Sequence, residues 1–426
     1  MIKTANIYLW DYHLGAIAAD DSGRITFEYT PEFVASGINP SPIFVTPERG
    51  RQYEFGQLPF ETFKGLPGFL ADSLPDKFGT SIINRWLAQN GRTPDSYTVV
   101  ERLLYQGSRS MGALRFEPQH RSDLNKMVKI ELEGLINAAS EVLDDRKKLN
   151  TNLTVDEEAL LTVLRVGTSA GGARAKAVVA YNRENGSLLS GQLDAPEGYE
   201  HYLLKLDGVN TETPDEFGKT KYFGCIEHSY YRMALDCGIH MTESFLIPEG
   251  ERNHFMTKRF DRIGNHRIHM VSLCGMNHMD FNNPTGWSYE QLFGVMRYLR
   301  LSATELEEAF RRMVFNIVGT NQDDHTKNFS FLLDKDNVWR LSPAYDMTYA
   351  KGSGYTRQHQ MSVNNKRINI NRSDILATAG HAGISKSKAN KIIDQIVEIF
   401  SKFKDYMYPS VPEIMIDEIH KNLNPV

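Results

Sequence analysis

The feature that most constrains this chain is residues 319–348, GTNQDDHTKNFSFLLDKDNVWRLSPAYDMT, where carboxylates and amides surround two short apolar runs. The segment before it predicts a helix, because Ser302 begins a capping-box pattern and apolar residues then recur on one helical face. The runs 329–333 and 338–341 predict two short strands joined by a polar turn. The predicted order is therefore helix, acidic loop, two strands and then Asp346.

The spacing of polar residues in this loop is that of a phosphoryl-transfer site. In protein kinases a catalytic-loop Asp is followed five residues later by an Asn that binds Mg²⁺, and another metal-binding Asp comes after two short strands. Asp323 lies five residues before Asn328 and Asp324 lies four before it. Asp323 is therefore the predicted base, Asp324 a bystander or a supporting group, and Asn328 and Asp346 the predicted Mg²⁺ ligands. Taken alone, the loop also fits a simpler structure, in which an acidic loop caps a helix end.

Upstream residues supply further parts of such a site in the same order. LRVGTSAGGARAKAVVAYN is a Gly-rich turn before a strand, which can bring backbone N–H groups close to phosphates. HYLLKLDG predicts a strand that carries Lys205, and FGCIEHSYYRMALDCGI predicts a helix whose Glu227 can pair with that lysine. HFMTKRFDR predicts a strand that ends in a hinge between two lobes. Each part alone has a plain structural explanation, but the ordered set favours a nucleotide site.

The length of 426 residues is too great for one core and predicts two or three domains. Residues 1–116 predict a β-rich subdomain, and residues 117–160 predict a charged helical connector. Residues 161–262 predict a β-rich ATP-binding lobe with a hairpin turn at Asn185-Gly186, and residues 263–426 a mainly helical catalytic lobe. The predicted fold class is α+β, with a two-lobed kinase-like core.

Composition narrows the classes of protein to which the chain can belong. A net charge of −5 argues against strong nonspecific binding of nucleic acid by the chain as a whole. The 3 cysteines have no CxxC spacing, and so few do not form a disulfide framework, which favours a cytoplasmic location. The start MIKTANIYLWDYHLG lacks the pattern of a signal peptide, and no apolar run of about 18 residues predicts a membrane span.

These motifs resemble the HipA family of bacterial serine/threonine kinases, which act as toxins in toxin–antitoxin pairs. The resemblance covers nearly the whole chain: GLPGFLADSLPDKFG and LLYQGSRSMGALRFEP resemble the family's N-terminal subdomain, and NQDDHTKNFSFLL and LSPAYDM resemble its catalytic signatures. Residues 323–328 also resemble the Asp-x-His-x-x-Asn loop of phosphatidylinositol kinases. The resemblance implies a protein-kinase or phosphatidylinositol-kinase-like core with a β-rich N-terminal subdomain and a helical C-terminal lobe. It also implies that Asp323 is the catalytic base and that Asn328 and Asp346 bind Mg²⁺.

Further site residues follow from the resemblance. Lys205 would contact the ATP phosphates, and Lys258 and Phe260 would bind adenine through the hinge backbone. Ser169 falls where the family has an autophosphorylated serine in its Gly-rich loop, a modification associated with ejection of that loop and inactivation. The remaining cofactor-binding positions are Ala170, Gly171, Gly172, Lys176, Glu227 and His325. The chain departs from the family pattern in two places: Lys258 stands where Glu is often found, and the loop is SAGGARAK rather than Ala-Gly-x-Gln-x-Lys.

The resemblance implies an ATP- and Mg²⁺-dependent kinase that phosphorylates a protein Ser or Thr and acts as a toxin on a translation-related protein. The implied partner is a HipB-like helix-turn-helix antitoxin, through which the association with DNA mainly runs, and no membrane partner is expected. Aminoacyl-tRNA synthetases are the family's characteristic targets. Two alternatives remain open. A small-molecule kinase of the aminoglycoside or choline type would have no obvious use for the N-terminal subdomain, and the intact Asp323, Asn328 and Asp346 argue against a catalytically idle co-repressor subunit.

Overall fold

The computed structural model describes residues 3–119, 124, 126–144, 157–167, 174–209 and 221–426, without the side chains of 142–144 and 157–159. The described chain divides into two compact units. The first unit is Met1–Thr213 with Ile247–Val271, and the second unit is Pro214–Leu246 with Ser272–Val426. None of the described helices is long and apolar enough to cross a membrane.

An antiparallel sheet with the strand order β4-β3-β2-β1-β5 begins the first unit. Its strands are β1 (Thr4–Leu9), β2 (Tyr12–Ala19), β3 (Ile25–Tyr29), β4 (Gln52–Glu54) and β5 (Leu114–Glu117). The turn at Asp21-Ser22-Gly23 joins the antiparallel strands β2 and β3, and alternate residues of β3 are buried, as the two-residue period of a strand requires. A glycine is needed at position 15, because a Cβ on Gly15 would lie 2.3 Å from the carbonyl oxygen of Glu28.

Helices connect these strands. They are α1 (Pro31–Ala35), α2 (Phe60–Phe63), α3 (Gly68–Ala71), α4 (Lys77–Gln89) and α5 (Val99–Gln106). The longest of these helices, α4, lies in the stretch PDKFGTSIINRWLAQNG. Asp76 caps its start, where Oδ1 accepts a hydrogen bond of 2.6 Å from Gly79 N. The helix ends just before Gly91, whose φ of +67° suits the residue after a helix.

A second sheet has the strand order β10-β11-β9-β7-β8-β6. Its strands are β6 (Lys129–Ile130), β7 (Lys176–Tyr181), β8 (Leu188–Ser190), β9 (Glu200–Lys205), β10 (Ser244–Glu249) and β11 (Arg252–Lys258). The sheet belongs to the first unit, which the chain re-enters within β10. The predicted hairpin at Asn185-Gly186 is confirmed, since β7 and β8 pair antiparallel and Gly186 has a φ of +72°. Lys176 lies directly opposite Lys205 in the pair of β7 and β9, so both side chains share one face of the sheet.

The predicted connector at 117–160 has more structure than the sequence indicates. It contains α6 (Leu132–Asp144) and the start of α7 (Glu157–Val166). However, β6 lies in the same segment and pairs with β8 at the edge of the second sheet. Sequence reasoning missed β6 because two residues are too few to show an alternating pattern. Residues 145–156 of the segment lie outside the described residues.

A buried charged cluster connects the turn before β5 to the segment after β11. That segment contains β12 (Arg262–Ile263), β13 (His266–Arg267) and β14 (His269–Ser272). Asp261 Oδ2 accepts hydrogen bonds from Gly112 N at 2.7 Å and from Arg262 Nη1 at 2.8 Å. Burial would raise the pKa of the Asp261 carboxyl, but the guanidinium groups of Arg259 and Arg262 outweigh it and hold this pKa well below its usual range. The carboxylate therefore stays charged and fixes the Gly112 turn to this segment.

Helices are the main secondary structure among the described residues of the second unit. They are α8 (Phe223–Asp236), α9 (Leu273–Asn277), α10 (Tyr289–Tyr298), α11 (Ala303–Val318), α12 (Arg372–Ala379), α13 (Lys386–Ser401), α14 (Phe403–Tyr406) and α15 (Glu413–Asn422). The helix predicted after Ser302 is confirmed as α11, and the capping box between Ser302 and Glu305 forms in both directions. Phe310 and Met313 on the predicted apolar face are fully buried, so this face anchors the helix that leads into the acidic loop.

Short strands of the second unit lie close to the acidic loop in sequence. They are β15 (Trp287–Ser288), β16 (Ser330–Leu333), β17 (Trp339–Leu341) and β18 (Met361–Ser362). The strands predicted on either side of the DKDN turn are confirmed as the antiparallel hairpin β16–β17, with Leu333 opposite Trp339. Together with the sheets of the first unit, these elements confirm the predicted α+β class.

Candidate active site

The loop between α11 and β16 carries the predicted base. Gly319 caps the end of α11, and Thr320 turns the chain with a φ of +56°. Asp323 follows, with 44% of its side chain exposed. Its carbonyl oxygen accepts hydrogen bonds of 2.7 Å from Asn328 Nδ2 and 2.8 Å from His325 N. The Asn328 bond spans the whole predicted Asp–Asn spacing and holds the two residues beside each other.

His325 braces this loop. Its Nδ1 accepts a hydrogen bond of 3.2 Å from Lys327 N and so caps the short 3-10 helix Thr326–Asn328. With Nδ1 as the acceptor, the proton of the neutral ring lies on Nε2, which is 3.8 Å from Asp323 Oδ1. The imidazole N–H is therefore near the Asp323 carboxylate. The ring also packs against Phe281, with 5.6 Å between the ring centroids.

Asp346 lies after β17 in a backbone conformation that residues other than glycine rarely adopt, with a φ of +54°. Its carbonyl oxygen accepts a hydrogen bond of 3.1 Å from Asn321 Nδ2. The preceding Tyr345 donates its hydroxyl to Lys327 O at 2.6 Å and also bonds to Ser330 Oγ. Strained residues of this kind persist where their surroundings hold them. Here hydrogen bonds from the acidic loop hold Asp346 next to that loop.

Asp324, the neighbour of the predicted base Asp323, is fully buried. Its Oδ2 accepts hydrogen bonds from Tyr289 Oη at 2.8 Å and His359 Nδ1 at 2.9 Å, and its Oδ1 accepts one from Gln360 N at 2.7 Å. Burial, and then the charge of Asp324, raises the pKa of Tyr289 well above its ordinary value, so the phenol keeps its proton and donates. These hydrogen bonds hold Asp324 inside the unit, and its role as a bystander or a supporting group stays a prediction.

Sequence reasoning missed several residues that shape the site. They are Tyr289, Asn316, Asn321, Tyr345, His359 and Gln360. Tyr289 and His359 lie 35 residues from Asp324 along the chain, on opposite sides of it, so no local motif connects them. The sequence offered one signal, which is Asn316 among the apolar residues that end α11.

The oxygen atoms near this loop fit a hard divalent cation. Asn328 uses its amide nitrogen on Asp323 O, so its carboxamide oxygen is the atom that can bind a cation. Asp346 supplies carboxylate oxygens. Such donors suit Mg²⁺, which usually takes one or two carboxylates and completes its shell with water and substrate phosphates. Among the described residues there is no group of His, Cys, Asp and Glu that would form a cage made by the protein alone.

The predicted cofactor-binding lysines of the first unit are Lys176 and Lys205, at the facing ends of β7 and β9. Lys176 is buried, and its Nζ lies 3.7 Å from Oδ2 of Asp76, the residue that caps α4. Lys205 Nζ lies 5.6 Å from the centroid of the Phe255 ring. Lys176 is thus engaged with an acidic residue of the N-terminal region, which its sequence context did not indicate.

The predicted hinge residues lie at the end of β11. Lys258 is the last residue of the strand and forms an ion pair with Glu200 on the neighbouring β9. The next residue, Arg259, donates its backbone N–H to His201 O at 2.9 Å. Phe260 follows and is half-buried. Contact of Lys258 and Phe260 with adenine stays a prediction.

The remaining predicted residues divide into two groups. Glu227 is buried in α8 of the second unit, whereas Lys205 belongs to the first unit, so their pairing stays a prediction. The Gly-rich segment lies outside the described residues, and with it the predicted positions Ser169, Ala170, Gly171 and Gly172.

Family models match both parts of the chain. The model described as HipA N-terminal domain matches residues 5–117. The model described as HipA-like C-terminal domain matches residues 168–403, which is more than half of the chain. The second match includes the acidic loop and Asp346.

The chain is also similar to a protein of Haemophilus influenzae and to a solved structure from Shewanella oneidensis MR-1. A Haemophilus influenzae protein named "Putative kinase" is 27% identical over 221 residues, and the match covers 48% of this chain and 60% of that protein. A chain of the solved Shewanella oneidensis MR-1 complex of HipA, HipB and operator DNA superposes with a TM-score of 0.61 at 16% identity, covering 99% of this chain and 92% of that one. At such low identity, this likeness shows a shared fold.

Proposed function

The chain belongs to the HipA family, and we propose on that basis that it transfers the γ-phosphoryl group of ATP to a Ser or Thr hydroxyl of a protein. The observation that carries the proposal is the arrangement of the acidic loop. Asn328 is bonded to Asp323 O, and Asn321 of the same loop is bonded to Asp346 O. Phosphoryl transfer depends mainly on positioning and charge stabilisation, and such a cross-braced loop supports both.

Each residue of the proposed site in the second unit would have a separate task. A bound Mg²⁺ would supply positive charge that offsets the negative charge of the ATP phosphates. The carboxamide oxygen of Asn328 and the carboxylate of Asp346 would hold it. Asp323, with a partly exposed side chain, would orient the attacking hydroxyl and accept its proton. His325 would keep its Nε2 N–H near that carboxylate, 3.8 Å from Asp323 Oδ1.

The proposal includes the biological setting of a toxin held by a helix-turn-helix antitoxin. The similar solved structure is a complex of HipA with HipB and operator DNA, which supports a HipB-like partner for this chain. The match of residues 5–117 to the HipA N-terminal domain favours this setting over a small-molecule kinase. A translation-related protein, such as an aminoacyl-tRNA synthetase, is the proposed substrate.

Incubation of the purified chain with Mg·ATP and a panel of aminoacyl-tRNA synthetases, followed by mass spectrometry, tests the proposal. We expect phosphate on a Ser or Thr of one panel member. Asp323→Asn should lower the rate of transfer by about 10²–10⁴-fold, the usual contribution of a positioned base, with ATP binding retained. Asp336→Asn is the matched control, because Asp336 is also about half exposed and lies in the β16–β17 turn. Its rate should stay unchanged.

Other results would support a different function or a different base. Phosphate on an aminoglycoside or choline and on no protein would support a small-molecule kinase. Failure to bind nucleotide would support an idle co-repressor. An equal loss of rate in Asp323→Asn and Asp336→Asn would contradict the assignment of Asp323 as base. The same spectra check the predicted phosphorylation of Ser169.

A further inference from the structure

The most deeply buried carboxylate near the proposed active site is Asp324, which the proposed chemistry does not use. Burial of a charge is costly unless hydrogen bonds compensate it. The bonds that compensate Asp324 come from Tyr289, His359 and Gln360, which lie in separate segments of the second unit. One carboxylate therefore joins the acidic loop to α10 and to the chain after Asp346.

A continuous series of hydrogen bonds leads from Asp324 to the backbone of Asp346. Tyr289 donates its hydroxyl to Asp324 and accepts a hydrogen bond of 3.0 Å from Asn316 Nδ2. Asn316 Oδ1 accepts a bond of 2.9 Å from Asn321 Nδ2, and the same amide group donates to Asp346 O at 3.1 Å. Tyr289, Asn316 and Asn321 are each at most 2% exposed, so water does not compete for their hydrogen bonds.

The second carboxylate oxygen of Asp324, Oδ1, is bonded to the segment that follows Asp346. Gln360 donates its backbone N–H to Asp324 Oδ1, and its Nε2 lies within hydrogen-bond distance of Tyr355 O at 2.7 Å and Gln358 O at 2.8 Å. Gln322 O, on the acidic loop, lies 3.2 Å from the same nitrogen. The carboxylate of Asp324 thus holds residues 355–360 against the loop that carries the proposed base.

We propose that Asp324 is a positioning residue for the metal site: it sets the place of Asp346 through Tyr289, Asn316 and Asn321, and holds residues 355–360 in register with it. The inference rests on the proposed function, in which Asp346 binds Mg²⁺. Side chains that orient a metal ligand from behind typically change metal affinity by about 10–100-fold when they are replaced. A purely structural role would lower stability and leave the metal affinity of the folded protein unchanged.

Tyr289→Phe and Asp324→Asn test the inference. Tyr289→Phe removes the hydroxyl that connects Asp324 to Asn316 and keeps the packing of the ring. Asp324→Asn removes the charge and places an N–H₂ group against donors. Asp374→Asn is the matched control. Asp374 is also a buried carboxylate of the second unit, and it accepts hydrogen bonds from Lys366 and Asn371 N at the start of α12.

Calorimetry gives the ATP affinity of each folded variant over a series of Mg²⁺ concentrations. We expect Tyr289→Phe and Asp324→Asn to need about 10-fold more Mg²⁺ for half-maximal binding, and Asp374→Asn to match the unmodified chain. Hydrogen exchange without nucleotide or metal provides a second measurement. The amides of 344–350 should exchange faster in Tyr289→Phe and at the original rate in Asp374→Asn.

Unchanged Mg²⁺ dependence and unchanged exchange in Tyr289→Phe would overturn the inference, even if Asp324→Asn failed to fold. A shift in Mg²⁺ dependence of equal size in Asp374→Asn would also overturn it, because the effect would then reflect general loss of stability. Absence of Mg²⁺-dependent ATP binding in the unmodified chain is a different result, which would overturn the proposed function itself.

Discussion

At the scale of single residues, Asp323 and Asp324 show how adjacent identical side chains can lie in opposite environments. Asp323 has a partly exposed side chain near the Nε2 N–H of His325, whereas Asp324 is buried among hydrogen-bond donors. A base must reach the substrate hydroxyl, which the exposed carboxylate can do. The buried one is enclosed by its partners and can act only through them. Burial therefore distinguishes the two aspartates clearly, although their distances from Asn328 in the sequence differ by only one position.

Asp346 carries the first prediction at this scale. Asp346→Asn should keep the left-handed backbone, which Asn adopts more readily than most residues. It removes the negative charge that would face Mg²⁺, and the affinity for Mg·ATP should fall by more than about 100-fold, since a direct ligand matters more than the residues behind it. Calorimetric titration with and without Mg²⁺ measures this. Unchanged Mg·ATP affinity would remove Asp346 from the ligand set.

At the scale of elements, α4 and β7 are connected by a buried ion pair. Asp76 at the start of α4 and Lys176 at the start of β7 lie 3.7 Å apart, with side chains 2% and 5% exposed. A buried ion pair adds little net stability, but removal of one partner leaves an uncompensated charge. The pair therefore fixes the helix of the N-terminal region to the strand that follows the Gly-rich segment.

Lys176→Met should lower the free energy of unfolding of the first unit by about 3–5 kcal/mol, because it removes the cation that lies 3.7 Å from the buried Asp76 carboxylate. Adding Asp76→Asn should recover part of the loss, since Asn still caps α4. Urea denaturation of the single and double variants measures the coupling. Lys64→Met is the control: its partner Glu61 is 85% exposed, so the change should cost less than about 1 kcal/mol. Strictly additive losses at Asp76 and Lys176 would show that the pair is not coupled.

At the scale of the whole molecule, fully buried histidines of the first unit make stability depend on pH. Burial, with the charge of Arg252 as a smaller cause, lowers the pKa of His254 to about 4. Burial likewise lowers the pKa of His269 to about 4. His254 Nδ1 accepts a hydrogen bond of 2.9 Å from Asp207 N, which a proton on Nδ1 would break. Both rings are therefore neutral in the folded chain at neutral pH.

Stability should be at its full value above about pH 6.5, the ordinary histidine pKa, and should fall as the pH drops from there to about 4. In this window the unfolded chain takes up protons that the folded chain excludes, at a cost of up to about 3 kcal/mol for each ring. Denaturation midpoints measured across the window test this. His254→Gln should flatten the dependence. An unaltered slope in His254→Gln would contradict the assignment.

Assembly is the second property at this scale. We expect the chain to bind a small dimeric helix-turn-helix protein, and operator DNA mainly through it, because a net charge of −5 opposes direct contact with phosphates. Gel-shift titrations with the chain alone, the partner alone and both together, over a series of salt concentrations, measure this. Tight, salt-sensitive binding of the chain alone would show that the partner is not needed for DNA binding.

The sequence by itself determined the parts of the protein whose signals lie within a few positions of one another. The capping box at Ser302, the hairpin at Asn185-Gly186 and the strands around the DKDN turn are of this kind. The closeness of Asp323 and Asn328 is another, since a hydrogen bond joins these two residues of one short loop. Caps, turns and loop spacings depend on neighbouring residues, so a linear pattern records them.

Only the tertiary structure decided that Asp324 is buried against Tyr289 and His359, and that Lys176 pairs with Asp76. The sequence contains every one of these residues, but each is an ordinary polar residue in its local context. A hydrogen bond or ion pair between distant positions exists only when packing brings the two groups within about 3–4 Å and excludes water from them. That condition depends on how whole elements pack against one another, and local periodicity carries no information about it.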